Sequence, residues 1–173
     1  GTCAPSRAAL MSGRYGTRFG FEFTPTPAGM MQLGALRPTP PGVLRTMLPN
    51  PDAESIPYEE MGMPASEITI AELLKEKGYH TAHVGKWHLG RTNGKAPEDQ
   101  GFDESLLMTS GLYLPEDHPD VVNSKQDFDT IDRFLWAALR FAASFNGGPA
   151  FEPDGYLTDY YTQQAVEIIE ANK

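Results

Sequence analysis

The clearest pattern of apolar and polar positions lies at 69–85. Thr69-Ile70-Ala71-Glu72 forms a capping box, a hydroxyl residue followed three positions later by Glu. Ile70, Leu73 and Leu74 then recur on one helical face, and Gly78 ends the predicted helix. Residues 79–84 read as a strand, and Gly85 lets the chain turn sharply after it. Helix, glycine, strand, glycine is an α/β arrangement. A second helical pattern spans 127–146, with Phe128, Ile131, Phe134, Leu135, Ala138, Leu139 and Ala142 on one side. Gly147-Gly148-Pro149 breaks it. A last helix is predicted from Thr158 to the end of the chain, using Leu157, Tyr161, Ala165, Val166 and Ile169. No internal repeat is visible.

Two stretches lack such periods. Nine of the fifteen prolines fall between Pro25 and Pro64. Each fixes φ and deletes a donor, so 15–64 reads as a long structured loop with short helical pieces at most. Residues 86–126 read as mixed loop. The N-terminus instead predicts a turn feeding a short helix. Pro5 suits a first helical turn, residues 7–11 are good helix formers, and Gly13 is a natural stop.

A length of 173 residues with 40% hydrophobic positions is enough to bury a core of one domain. A formal charge of −9 argues against a nucleic-acid partner, which needs a basic footprint. It leaves open an anionic small substrate, because a few local cations can dominate a pocket. One cysteine excludes an internal disulfide framework. The chain opens on Gly1 without a signal-like segment, so it reads as processed or as part of a longer protein. The most apolar run, 134–145, is short and broken by Arg140 and Ser144, so no membrane span is predicted.

Cys3 and Arg7 stand four residues apart at the start of the first predicted helix, which sets them on one side of it. A helix N-terminus favours anions through its free N–H groups and its dipole, and it lowers the pKa of a nearby thiol. The plainer reading is a structural cysteine beside a surface arginine.

Cys3-Ala4-Pro5-Ser6-Arg7, continued by Leu10-Met11-Ser12-Gly13-Arg14, resembles the first signature of the sulfatase family, with Ser12 where Thr is commoner. Gly78-Tyr79-His80-Thr81-Ala82-His83-Val84-Gly85-Lys86-Trp87-His88-Leu89-Gly90 resembles the second, and Gly101-Phe102-Asp103 a motif that often follows it. Tyr156-Leu157-Thr158-Asp159 resembles the lead into a later family helix, so the likeness covers most of the chain. Two signatures in the right order are far more specific than one.

The resemblance implies an α/β fold, the alkaline-phosphatase-like α/β/α sandwich with a mostly parallel central sheet. Here it would be an incomplete N-terminal portion: residues 1–173 as a catalytic-domain fragment truncated at both ends, with 25–64 as its Pro-rich loop region. It implies that Cys3, within the modification motif Cys3, Pro5, Ser6 and Arg7, is oxidised to formylglycine by a dedicated maturation enzyme. The hydrated aldehyde then attacks the sulfur of a sulfate ester, the alcohol leaves, and sulfate departs by elimination as the aldehyde re-forms. By motif position, Cys3 is the nucleophile and one ligand of calcium or another divalent cation. Arg7 stabilises the hydrated aldehyde, Lys86 bridges it and the sulfate, and His88 hydrogen-bonds it. Ser110 or Thr109 could reach the sulfate. The family's other metal ligands and its later His and Lys fall outside the chain. Asp103, Asp117, Asp120, Asp127, Asp129 and Asp132 are not at its metal positions and read as solvated or capping residues.

His80 and His83 invite a zinc reading, yet on an extended strand they point to opposite faces, and no Cys or carboxylate completes a site. They read as packing or rim residues. His88, just past the predicted strand, sits at the edge where α/β folds bind ligands. A phosphonate or phosphate monoester hydrolase of the same superfamily is the nearest alternative, and an inactive fragment lacking the metal site is another. A carbohydrate or aryl sulfate is the implied substrate class, and family habit favours a periplasmic, extracellular or lysosomal setting.

Overall fold

The computed structural model describes residues 2–26, 41–42, 56–109 and 141–173. Among these residues the chain forms helices α1 (Cys3–Ser12), α2 (Ile70–Lys75) and α3 (Leu157–Ala171). The strands are β1 (Ala82–Gly85), β2 (Glu104–Met108) and β3 (Ala143–Phe145). Short 3-10 turns occupy Gly16–Arg18 and Tyr58–Glu60. Two compact units result: Gly1–Thr69 with His88–Ala96, and Ile70–Trp87 with Pro97–Lys173.

In the first unit, Thr2 is the N-cap of α1, and Gly13 closes the helix in the left-handed region, its N–H reaching the Ala9 carbonyl at 2.9 Å. Ala4 and Ala8, one turn apart, are fully buried. The segment after the second signature is held against 59–63. The Met63 N–H donates to the Leu89 carbonyl at 2.8 Å, and both side chains are buried. The backbones meet there without room for side chains: a Cβ on Gly62 would lie 2.4 Å from the Leu89 oxygen, and one on Gly90 2.6 Å from Lys95 Cβ. The Thr92 hydroxyl and the Lys95 ammonium add bonds to the carbonyls of Glu59 (2.7 Å) and Glu60 (2.6 Å).

In the second unit the sheet order is β1-β2-β3. β1 and β2 are parallel, with Ala82 opposite Glu104 and Gly85 opposite Leu107. β3 pairs antiparallel with β2, with Leu106 opposite Phe145. His83, Trp87 and Phe102 meet edge to face at 5.2–5.7 Å between ring centres. Leu106, Ala142 and Ala143 are almost fully buried in the same unit. α3 packs on β1.

Three expectations shift. The strand begins at Ala82 rather than at 79, because Thr81 is taken up in a clasp with Asp103: its N–H and hydroxyl both donate to the Asp103 carboxylate at 2.9 Å. The expected apolar face of α2 is not its buried face. Ile70 and Leu73 are each 52% exposed, and Ala71 is buried instead. Gly101 explains the rotation, since a Cβ there would lie 2.4 Å from the Glu72 nitrogen; the helix backbone rests directly on residue 101. The predicted helix over 127–146 fails at its end. Residues 143–145 form β3, and Ala143 exchanges two backbone bonds with Phe151 at 2.8 and 2.9 Å. Asn146 brackets Ser105 in the same way, accepting from its N–H at 2.7 Å and donating to its carbonyl at 2.9 Å. Sheet pairing thus outweighs local helical period. Residues 127–140 lie outside the described residues.

Candidate active site

Burial of the Ala4–Ala8 face of α1 fixes where its neighbours go. Positions 3 and 7 also lie one turn apart, rotated from the buried pair, so Cys3 is exposed and Arg7 half-buried on a shared adjoining face. Helix geometry leaves the first-turn N–H groups without acceptors inside the helix. α1 carries no acidic residue in that turn, so no side chain of its own offsets the positive end of its dipole. Cys3 therefore sits at an anion-favouring end, with a guanidinium one turn along.

Thr24 meets the same end of α1. Its hydroxyl lies 3.7 Å from the Cys3 sulfur. It carries no motif, stands 21 residues downstream in the Pro-rich stretch, and only the folded chain reveals it.

His88, in the same unit, adopts φ of 65°, in the left-handed region that non-glycine residues enter rarely. Its Nδ1 is buried. Strain of about 1–3 kcal/mol of this kind persists where surrounding contacts over-determine the backbone, and the Met63–Leu89 and Gly62–Gly90 contacts do so on its C-terminal side.

Lys86 belongs to the second unit and directly follows β1. Since Gly85 pairs with Leu107 in a parallel register, Lys86 and Thr109 leave the sheet from the same C-terminal edge. Thr109 is half-buried, and its N–H donates to the Ala142 carbonyl at 2.9 Å. Ser110 lies outside the described residues, as do Asp117, Asp120, Asp127, Asp129 and Asp132.

His80 and His83 have different surroundings. His83 is buried between Trp87 and Phe102. His80 is at the rim, with Nε2 2.6 Å from the Glu104 carboxylate and Nδ1 3.8 Å from Asp103. Asp103 also meets Lys75 at 2.7 Å. That ammonium, followed by the backbone N–H and the hydroxyl of Thr81, holds the Asp103 carboxyl well below the usual carboxylate range. This clasp ties α2 to the start of both parallel strands. Among the described residues, no group of three or more His, Cys, Asp or Glu side chains is placed to hold a metal ion. No described helix is long and apolar enough to cross a membrane.

Cys3 and Arg7 thus mark an anion-favouring helix end in the first unit, and Lys86 sets a cation at the C-terminal edge of the sheet in the second. Comparison with known proteins gives the family. The sulfatase family model matches residues 1–173. N-acetylgalactosamine-6-sulfatase of Mus musculus is 32% identical over 173 residues, covering 97% of this chain and 27% of that protein. The arylsulfatase of Hemicentrotus pulcherrimus is 34% identical over 179 residues, covering 98% of this chain and 26% of that protein. Among solved structures, the crystal structure of Ps i-CgsB aligns with a TM-score of 0.61 at 27% identity, over 98% of this chain and 31% of that one. The chain belongs to the sulfatase family, and its mixed α/β structure has the alkaline-phosphatase-like fold of that family. It spans about a quarter of the length of these two relatives.

Proposed function

We propose that the protein hydrolyses sulfate esters and that this chain is the part of its catalytic domain carrying the nucleophile. The observation that carries the reading is Cys3 in the exposed first turn of α1 with Arg7 one turn on, inside a sulfatase signature. Cys3 is reachable there by a maturation enzyme, which fits its oxidation to formylglycine. Once hydrated, that side chain supplies a hydroxyl to attack sulfur and a second hydroxyl whose deprotonation expels sulfate and restores the aldehyde. A thiol or a serine lacks the second hydroxyl.

The chain's own residues do the rest. Arg7 and the positive end of α1 stabilise negative charge on the side chain at position 3. Lys86 neutralises the equatorial sulfate oxygens, and Ser110 or Thr109 adds a donor to them. His88, held in a strained backbone geometry, hydrogen-bonds the hydroxyl that is deprotonated. Calcium or another divalent cation would be held by the formylglycine at position 3 together with the ligands that the family resemblance puts outside residues 1–173.

Residues 1–173 on their own would then be inactive, because the remaining ligands are supplied elsewhere. A carbohydrate sulfate is the substrate class that the names of the sugar-directed relatives support. The same residues could serve a phosphonate or phosphate monoester, which differs from a sulfate ester mainly in charge. Parallel assays of the full-length enzyme on an aryl sulfate and an aryl phosphonate decide between them. Turnover of the sulfate is expected; turnover of the phosphonate alone would overturn the reading.

A further inference from the structure

The approach of Thr24 to Cys3 is built by the chain between them. After Gly13 caps α1, the 3-10 turn Gly16–Arg18 reverses direction, and the N–H groups of Phe19 and Phe21 both reach the Gly16 carbonyl, at 3.2 and 3.0 Å. A Cβ on Gly16 would lie 2.2 Å from the Phe21 carbonyl oxygen, so only glycine permits the closure. Phe21 is 7% exposed and anchors the returning strand of chain. Beyond it, Pro25 restricts Thr24 to extended backbone, and the Thr26 hydroxyl donates to the Thr24 carbonyl at 3.0 Å. The half-buried Thr24 side chain is thereby held with its hydroxyl 3.7 Å from the Cys3 sulfur.

We propose that Thr24 is a positioning residue for the nucleophile, its hydroxyl fixing the rotamer of the side chain at position 3. The inference rests on the reading of Cys3 as the nucleophile. A hydroxyl can hydrogen-bond a sulfur or an oxygen at that position alike, so the contact serves the side chain before and after maturation. Because Thr24 touches the nucleophile, its loss acts on kcat more than on KM.

The test uses the full-length protein with Thr24→Val, Thr24→Ala and Thr24→Ser, in two arms. In the first, the protein made without the maturation enzyme is alkylated with iodoacetamide at one fixed pH, followed at the Cys3 peptide. Val and Ala should slow alkylation by about three- to tenfold, while Ser stays within about twofold of the parent. In the second, the matured protein hydrolyses an aryl sulfate. Val and Ala should lower kcat by about tenfold with KM within about twofold, and Ser should restore it. If Val does not fold, Ala provides the same readout. Parent-like alkylation and turnover in the hydroxyl-less variants overturns the proposal, as does an equal loss in Ser and Val, which would assign Thr24 to packing. If the parent hydrolyses no sulfate ester but alkylation slows as expected in Val and Ala, the Thr24 contact stands and the sulfatase chemistry falls.

Discussion

Arg14 Nη1 meets Glu67 Oε2 at 2.5 Å, joining positions 53 residues apart. The two ends differ in environment: the Arg14 side chain is 48% exposed and the Glu67 side chain 10%. Arg14 also lies over the Phe19 ring, 5.8 Å from its centre. The pair therefore ties the C-terminal end of the helix carrying Cys3 to the distant segment around Glu67.

This asymmetry sets unequal costs for its two halves. Arg14→Ala leaves a nearly buried carboxylate without that partner and should cost about 2 kcal/mol. Glu67→Gln keeps the volume and a hydrogen-bond acceptor and should cost about 1 kcal/mol, the exposed arginine being screened by water. Denaturant titration of both variants checks the order; equal losses would contradict it.

The Lys75–Asp103–Thr81 clasp predicts a loss of stability in acid. The Asp103 carboxyl titrates well below its ordinary value, so its contribution is present above about pH 4 and is lost as pH falls through the lowered value. Asp103→Asn should lower the melting temperature at pH 7, and the gap to the parent should close as pH drops below about 4. A gap that stays constant with pH would show that the charge is irrelevant.

At the other end of the scale, burial and then the neighbouring Tyr160 push the Tyr161 phenol up to about 12. The folded state keeps this proton longer than the unfolded chain, so stability is full below about pH 10 and falls as pH rises through about 12. Tyr161→Phe should lose less stability than the parent between about pH 9 and pH 11. Unfolding midpoints at both pH values test this, and parallel losses would rule it out.

Charge at the proposed site should matter to rate and little to folding. Arg7→Ala and Lys86→Ala are each expected to lower kcat on an aryl sulfate by about 10²–10³. Arg7→Lys should recover only part of the loss, because an ammonium cannot reproduce a planar guanidinium fork. Melting temperatures should stay close to the parent in all three. Near-parental rates would remove these residues from the chemistry.

The sequence made some of this legible and hid the rest for identifiable reasons. α1 and its Gly13 stop could be read because proline, helix formers and glycine act locally. α3 could be read from its apolar positions within one residue at its start and two at its end. β2 was hidden within 86–126 because Ser105, Leu106 and Leu107 do not alternate as a half-buried strand does, and pairing on both edges decides its state. β3 was mistaken for helix for the same reason: its partners, Leu106 and Phe151, are supplied by tertiary contact. Of the residues proposed for the chemistry, Cys3, Arg7, Lys86 and His88 stand in motifs that the sequence displays. Thr24 does not, because its role depends on a turn through Gly16 and the burial of Phe21 rather than on spacing.

The most direct test of the central claim is peptide mass spectrometry of residue 3 in the full-length protein, produced in a host that has the maturation enzyme. An aldehyde in place of the Cys3 thiol is the predicted result. An unmodified thiol throughout the sample would contradict the account.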